Sequence, residues 1–138
     1  MKTKTLFLGA AICCACAAAE GSRETHLTGS WVLQGDPKVT LNVDESDGKI
    51  HVTEKKGDEV TLEYACNTDG KDCNAKDEGH SAKISIWFNG PKLVELETRG
   101  SHVTRRRFVA AEDGKSLSVE VSPIAPQGKS ETLEFARQ

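Results

Sequence analysis

Apolar and polar side chains alternate along most of the chain from residue 39 onwards. Val39, Leu41 and Val43 each stand between polar residues, and the same pattern recurs in residues 50–53, 60–66, 84–88, 117–121 and 132–135. Because successive side chains of a strand point to opposite faces, each segment is predicted to be a β-strand with one buried face. No window of ten or more residues keeps the spacing of an amphipathic helix.

Glycine residues separate the alternating segments at fairly regular intervals. Four of these nine glycines follow Asp or Asn, and this pairing favours tight hairpin turns because glycine readily adopts a positive φ. The turn glycines occupy positions 35, 48, 57, 70, 79, 90, 100, 114 and 128. The pattern predicts an all-β fold, an antiparallel up-and-down meander of about 8–10 strands. Since no long crossover separates the strands, a closed barrel is favoured over a Greek-key sandwich.

The amino-terminal residues have the pattern of an export signal rather than of a strand. Lys2 and Lys4 precede an unbroken run of apolar and small residues, and residues 17–19 are three alanines that signal peptidase accepts. We therefore expect a cleaved signal peptide at residues 1–19 and a single domain at residues 20–138. No second apolar stretch follows, so we expect an exported protein, periplasmic or extracellular, without a transmembrane span after cleavage.

Three cysteines within this apolar run leave a second interpretation open. Cys13, Cys14 and Cys16 lie close together, and Cys16 is the candidate for a lipid anchor. A bacterial lipidation site normally has Leu followed by two small residues before its cysteine, and that Leu is missing here. Lipoprotein anchoring through Cys16 is therefore the minority alternative to a soluble exported protein.

Composition narrows the classes of partner. The chain has 138 residues, so it is long enough for one ordinary hydrophobic core but not for two. Its net charge is −3. The charge is not arranged in blocks, which argues against a basic nucleic-acid-binding arm and against an acidic disordered tail. We therefore expect no nucleic-acid partner.

Cys66 and Cys73 are the two cysteines that follow the predicted signal peptide. An even pair in an oxidising compartment most simply forms a disulfide, here one that closes a small loop. The six intervening residues do not match the Cys-x-x-Cys spacing of redox dithiols, and no third metal ligand is apparent. The sequence therefore predicts a Cys66–Cys73 disulfide and no metal site.

Two motifs resemble the lipocalin or calycin signature. Gly29-Ser30-Trp31 opens the first alternating segment, and Arg105-Arg106-Arg107 lies in the carboxyl-terminal half. In that family an early Trp closes the barrel floor and packs under an Arg from a late strand, so the resemblance implies a Trp31–Arg106 pair. Arg on an indole face is a favourable cation–π arrangement.

The chain from about residue 27 to residue 137 also resembles a group of small secreted bacterial lipocalin-like proteins. Besides the Gly-x-Trp motif, the similarity rests on residues 63–72, which begin Glu-Tyr and contain Asp-Gly-Lys-Asp, and on Asp-Gly-Lys-Ser-Leu at residues 113–117. Most of the group has no known activity, so the resemblance implies a fold more than a function. One departure is that no helical pattern follows Gly128, where an ordinary lipocalin has a helix.

The three consecutive arginines allow several arrangements. If Val103 and Val109 point inward, Arg105 and Arg107 enter the lumen and could hold a carboxylate or phosphate head group. If Phe108 points inward, only Arg106 lies near the core. The third possibility is a solvated face balanced by acidic residues of neighbouring strands.

Residues with the spacing of a catalytic or metal site are scarce. The four histidines are scattered without metal-ligand spacing, and no Gly-x-Ser-x-Gly motif occurs. Glu95 and Glu97 share one face of a strand, and we expect them to face water opposite Val94 and Leu96. The sequence therefore predicts neither an enzyme nor a cofactor.

The leading hypothesis is an exported lipocalin-like barrel that binds a small apolar or amphipathic ligand. Its candidate ligand contacts are Trp31, Tyr64, Ile86, Arg105 and Arg107. The alternative is a barrel with a solid core that acts as an interaction or structural module through its outer surface, where Trp87 is expected. Side chains can fill an eight-stranded barrel, whereas about ten strands leave room for a small ligand. The oligomeric state is left open.

Overall fold

The computed structural model describes residues 25–138. The signal peptide predicted at residues 1–19, and the cysteines considered for lipidation, lie outside the described residues. Ten β-strands make up this part of the chain. They are β1 (Gly29–Leu33), β2 (Val39–Ser46), β3 (Lys49–Lys56), β4 (Glu59–Asn67), β5 (Cys73–Asp77), β6 (His80–Asn89), β7 (Lys92–Arg99), β8 (His102–Ala110), β9 (Ser116–Ala125) and β10 (Glu131–Arg137).

The strands form one closed antiparallel barrel in which each strand pairs with its neighbours in sequence. β1 also pairs with β10, with Trp31 opposite Arg137 and Leu33 opposite Phe135, and this pairing closes the sheet. The predicted all-β, up-and-down barrel is therefore confirmed, at the upper end of the expected number of strands. Residues after Gly128 form β10 rather than a helix, and the described part of the chain has no helix long and apolar enough to span a membrane.

The segment between Thr68 and Gly79, which reads as a polar hairpin tip, contains the short strand β5. β5 pairs with β4 through three residue pairs and with β6 through five. Its buried side chain is Ala75, and this residue is too small to produce a clear apolar alternation in the sequence. Cys66 and Cys73 form the predicted disulfide, which links β4 to the start of β5.

The alternating apolar side chains fill the barrel interior. The largest of the fully buried side chains are Trp31, Phe108 and Phe135, and 18 buried residues form one core cluster. We call the end with the turns at residues 47–48, 68–72, 90–91 and 111–115 the floor. The opposite end, with the turns at residues 34–38, 57–58, 78–79, 100–101 and 126–130, is the mouth.

The floor is closed by Trp31 and Arg137. The Trp31 indole N–H donates to the Leu27 carbonyl oxygen at 2.9 Å, and the Arg137 guanidinium lies 4.2 Å from the indole ring centre. The prediction that Arg106 is the partner of Trp31 was wrong, because Arg106 lies on β8 among carboxylates. Arg137 takes this place, since it faces inward two residues after Phe135. The family-like arrangement of Trp under Arg is present, but the arginine comes from the last strand.

Arg137 also explains why residue 29 is glycine. Its Nη1 and Nη2 atoms donate to the carbonyl oxygens of Thr28 and His26 at 2.9 and 2.8 Å, which holds the guanidinium against the backbone of Gly29. A Cβ atom at residue 29 would lie 2.1 Å from Nη1, and the φ of 147° at this residue is itself unfavourable for other residues. The Gly-x-Trp motif therefore reflects the position of Arg137.

We predict that Gly29→Ala and Arg137→Gln are energetically coupled. Each substitution alone should lower the free energy of unfolding by about 2 kcal/mol, since each disrupts the same contact. Together they should cost about 1 kcal/mol less than the sum, because the shorter Gln removes the clash with the new Cβ. Urea denaturation followed by tryptophan fluorescence measures all four variants.

Gly48→Ala is the matched control for this cycle. Gly48 also has a positive φ, 74°, but a Cβ atom there would meet nothing within 4 Å. Its cost should therefore be the same with Arg137 or Gln at residue 137. Additive effects of Gly29→Ala and Arg137→Gln would show that the guanidinium does not constrain residue 29.

Candidate functional site

A cluster of charged side chains lies inside the barrel towards the mouth. Phe108 is buried, so the inward face of β8 also carries Arg106, two residues earlier. The same alternation places Glu95 and Glu97 on the inner face of β7, because Leu93 is buried. Arg106 pairs directly with Glu95 across β7 and β8, so register brings opposite charges together.

Arg106 is the centre of this cluster and contacts three carboxylates. Its Nε lies 2.8 Å from Glu95 Oε1, its Nη1 lies 3.4 Å from Glu54 Oε2, and its Nη2 lies 3.6 Å from Glu97 Oε2. Burial alone would lower the pKa of Arg106, but the negative charges of Glu95 and Glu54 raise it well above its ordinary value. The guanidinium therefore stays charged inside the barrel.

Tyr64 extends the cluster towards the core. Its hydroxyl donates a hydrogen bond to Glu95 Oε2, and Glu95 has an exposed fraction of 0%. Burial, followed by the charge of Glu95, raises the pKa of Tyr64 well above its ordinary value. Tyr64 is therefore a neutral hydrogen-bond donor at the inner end of the cluster.

Glu97 lies between Arg106 and the rim of the mouth. Burial raises its pKa to about 7; Arg106 opposes this shift, and the charges of Asp77 and Glu95 add to it. Asp77 itself contacts Arg99, with its Oδ2 atom 2.9 Å from Arg99 Nη1. The carboxyl of Glu97 thus titrates near neutral pH in a crowded acidic environment.

Two carboxylate oxygens of the cluster accept no hydrogen bond from residues 25–138. These are Glu95 Oε1 and Glu97 Oε2, and both atoms are buried. Buried polar atoms are nearly always hydrogen-bonded, because losing water without a new partner costs about 1–3 kcal/mol. The cluster therefore has unused capacity to accept hydrogen bonds.

Apolar side chains form the other part of the mouth. The inward alternation of β1, β2, β9 and β10 places partly buried residues there, namely Leu33, Val39, Val121 and Leu133. We call these four residues the apolar arc. They continue the core, and each keeps part of its surface exposed. The mouth is therefore amphipathic, with an apolar arc on one side and the charged cluster on the other.

The interior beneath the mouth is filled. Trp31, Ile50, Ile84, Ile86 and Leu117 each have an exposed fraction of 0%, so no solvent-filled space adjoins them. Of the sequence-predicted ligand contacts, Trp31 and Ile86 lie in this filled part. Tyr64 lies at its boundary, where its hydroxyl reaches the charged cluster.

Arg105 and Arg107 do not enter the lumen, which corrects the expectation that they contact a ligand there. The large apolar Phe108 takes the inward position, so both arginines face outward. Arg107 Nε donates to Glu120 Oε1 at 3.1 Å, and this contact lowers the pKa of Glu120. Anion binding inside the barrel by these two residues is therefore excluded by their orientation.

Glu95 and Glu97 were expected to face water, and this expectation was wrong. Val94 and Leu96 face outward instead, and Val94 is nonetheless buried, with Trp87 and Arg107 as its cross-strand partners. The signal that could have identified the inward glutamates is the arginine on the next strand. Its pairing with Glu95 depends on a register that the sequence alone does not define.

The outer surface carries a separate concave feature, a shallow groove of about 910 Å³ beside β4, β5 and β6. His51, Glu63, Lys76 and Ser81 line it from outward-facing positions. Tyr64, whose hydroxyl reaches the charged cluster, is also among the residues that line the groove. Within residues 25–138, no group of three or more His, Cys, Asp or Glu side chains is arranged to hold a metal ion.

Several solved structures share this barrel at low sequence identity. No family model matches the sequence, and no curated protein does so at a significant level. Fatty-acid-binding protein 1 of Echinococcus granulosus is similar over 83% of this chain and 98% of its own, with a TM-score of 0.66 and 12% identity. The fatty acid transporter REP1-NXSQ has the same coverage, a TM-score of 0.68 and 10% identity.

A secretory abundant heat soluble protein of Ramazzottius varieornatus also shares the fold, with a TM-score of 0.66 and 8% identity. The match covers 82% of this chain and 96% of that one. At these identities the likeness concerns the fold alone. The chain therefore shares its fold, a closed antiparallel barrel of ten strands, with these solved structures.

We predict that Glu97 makes the protein less stable as pH rises from about 4.5 to about 7. In this window the unfolded chain releases the Glu97 proton, while the folded protein retains it because the pKa is raised to about 7. The folded state therefore binds more protons, and the free energy of unfolding falls with pH. Glu97→Gln should flatten this part of the profile in urea denaturation series; unchanged slopes would contradict the prediction.

Proposed function

We propose that this protein binds a small amphipathic molecule at the mouth of its barrel. The observation that carries the proposal is the composition of the mouth: a partly exposed apolar arc adjoins a charged cluster there, whereas Trp31 and Arg137 close the floor. Binding sites for small molecules typically pair apolar walls with a few fixed polar groups. The structural likeness to fatty-acid-binding and fatty-acid-transport proteins supports the proposal at the level of fold.

The proposed ligand lies across the mouth rather than deep inside. Leu33, Val39, Val121 and Leu133 would contact its apolar part, and covering them removes apolar surface from water at about 25 cal/mol per Å². Glu54 and Glu97 would orient its polar part. Because the cluster is already held by Arg106, it is arranged before a ligand arrives.

We expect Val39→Ser to weaken binding of the neutral apolar dye Nile red about fivefold, because the substitution removes about 1 kcal/mol of apolar contact. Val32→Ser is the matched control: Val32 is similarly exposed but lies on the outer face of β1. Dye fluorescence titration measures both variants. Equal affinities of the two variants would contradict binding at the mouth.

We also propose that residues 1–19 direct export and that the mature protein acts outside the cytoplasm. The Cys66–Cys73 disulfide supports this proposal, since disulfides persist mainly in oxidising compartments. Intact mass of protein from an exporting host should equal that of residues 20–138 less two hydrogens. A lipid adduct on Cys16 would support the membrane-anchored alternative, and an uncleaved chain would contradict export.

The outer groove favours a second candidate function, that of an interaction module. The groove is the concave feature outside the barrel, and Trp87 lies half-buried on the same outer face of β6. The filled floor half is equally compatible with this function. Failure of the wild-type protein to bind any apolar probe, together with loss of a captured partner in Trp87→Ala, would favour it over ligand binding.

A further inference from the structure

We infer that the ligand of the mouth has a positively charged head group, so that the protein binds a cationic amphiphile such as an alkylammonium. The inference rests on the proposed function and adds the charge class of the ligand. The inward-facing charged groups near the mouth comprise four carboxylates and two guanidinium groups. They are Glu54, Asp77, Glu95, Glu97, Arg99 and Arg106.

Both guanidinium groups are already engaged. Arg106 contacts three carboxylates, and Arg99 contacts Asp77 at 2.9 Å and Glu78 at 3.7 Å. An incoming carboxylate would find no unpaired arginine here and would add a charge of the same sign to an acidic cluster. Lys56 and His102 also lie at the rim, but both are exposed, so solvent and salt screen them.

Two carboxylate oxygens of the cluster lie near Arg106 as ion pairs but accept no hydrogen bond from it. Glu95 is fully buried, and its Oε1 and Glu97 Oε2 accept no hydrogen bond from the described residues. Glu97 is nearer the mouth, and its side chain keeps 12% of its surface exposed. An ammonium has three N–H donors, so it supplies the hydrogen bond that Glu97 Oε2 lacks. It also adds a positive charge to a cluster in which carboxylates outnumber guanidinium groups.

The apolar arc determines which cation fits. A bare inorganic ion would leave Val121 and Leu133 exposed, and residues 25–138 offer no three-ligand group for a metal. Val121 is the cross-strand partner of Arg106, so apolar and charged surfaces adjoin within one pair of strands. An alkyl chain ending in an ammonium matches both surfaces at once.

The test compares dodecylamine, dodecanol and dodecanoate, which share one chain length and differ in head-group charge. Displacement of Nile red at pH 8, above the Glu97 pKa of about 7, gives the three affinities. The amine should bind at least tenfold more tightly than the carboxylate, with the alcohol between them. Glu97→Gln should reduce the preference for amine over alcohol at least threefold.

Glu63→Gln is the matched control, because Glu63 is an exposed glutamate on the outer face of β4. It removes the same charge from the protein and should leave the preference unchanged. An equal reduction in both variants would show that the amine responds only to overall charge and would overturn the inference.

The remaining outcomes separate the inference from the function on which it rests. Tightest binding of dodecanoate, or equal binding of all three compounds, overturns the cationic head group but leaves a binding site at the mouth. Failure of Nile red and all three compounds to bind overturns the proposed function itself.

Discussion

Closure of the sheet through β1 and β10 is the constraint on which the other features of this molecule depend. Pairing the first strand with the last removes both free edges and gives all ten strands a common interior. Each strand must then place one face inward, so successive residues of a strand point alternately into the barrel and to the outside. The same pairing places Arg137 over Trp31, so the contact that closes the floor is a direct result of the contact that closes the sheet.

This alternation of inward and outward residues also explains why a charged cluster lies inside an apolar barrel. With Phe108 and Leu93 inward, Arg106 and Glu95 must be inward as well, and a buried guanidinium is tolerated only beside carboxylates. Three carboxylates around one arginine exceed what neutrality requires. Burial is the main reason that the pKa of Glu97 is raised to about 7, and the charges of Asp77 and Glu95 add to this shift.

Alternation and turn glycines, which are local properties of the chain, were sufficient to predict the barrel and the strands with a clear apolar face. The pairing of Cys66 with Cys73 was predictable for the same reason. The partner of Trp31 and the environment of Glu95 were not, because each depends on register between strands. Arg106 and Arg137 each lie on a strand whose apolar residues alternate with polar ones. Only the pairing of strands in the closed sheet shows that Arg137 is the arginine that contacts the Trp31 indole. β5 was missed because its buried side chain, Ala75, is small.

The position of Arg137 in the chain has a consequence for biogenesis. Arg137 binds the carbonyl oxygen of Thr28, and the two residues are 109 positions apart. A ribosome releases the chain from its amino end, so Trp31 is synthesised long before the arginine that covers it. Until β10 is complete, β1 and β9 each present an unpaired edge, and such edges attract other strands. A chaperone that binds the chain during synthesis or translocation would therefore bind a barrel that lacks only its last strand.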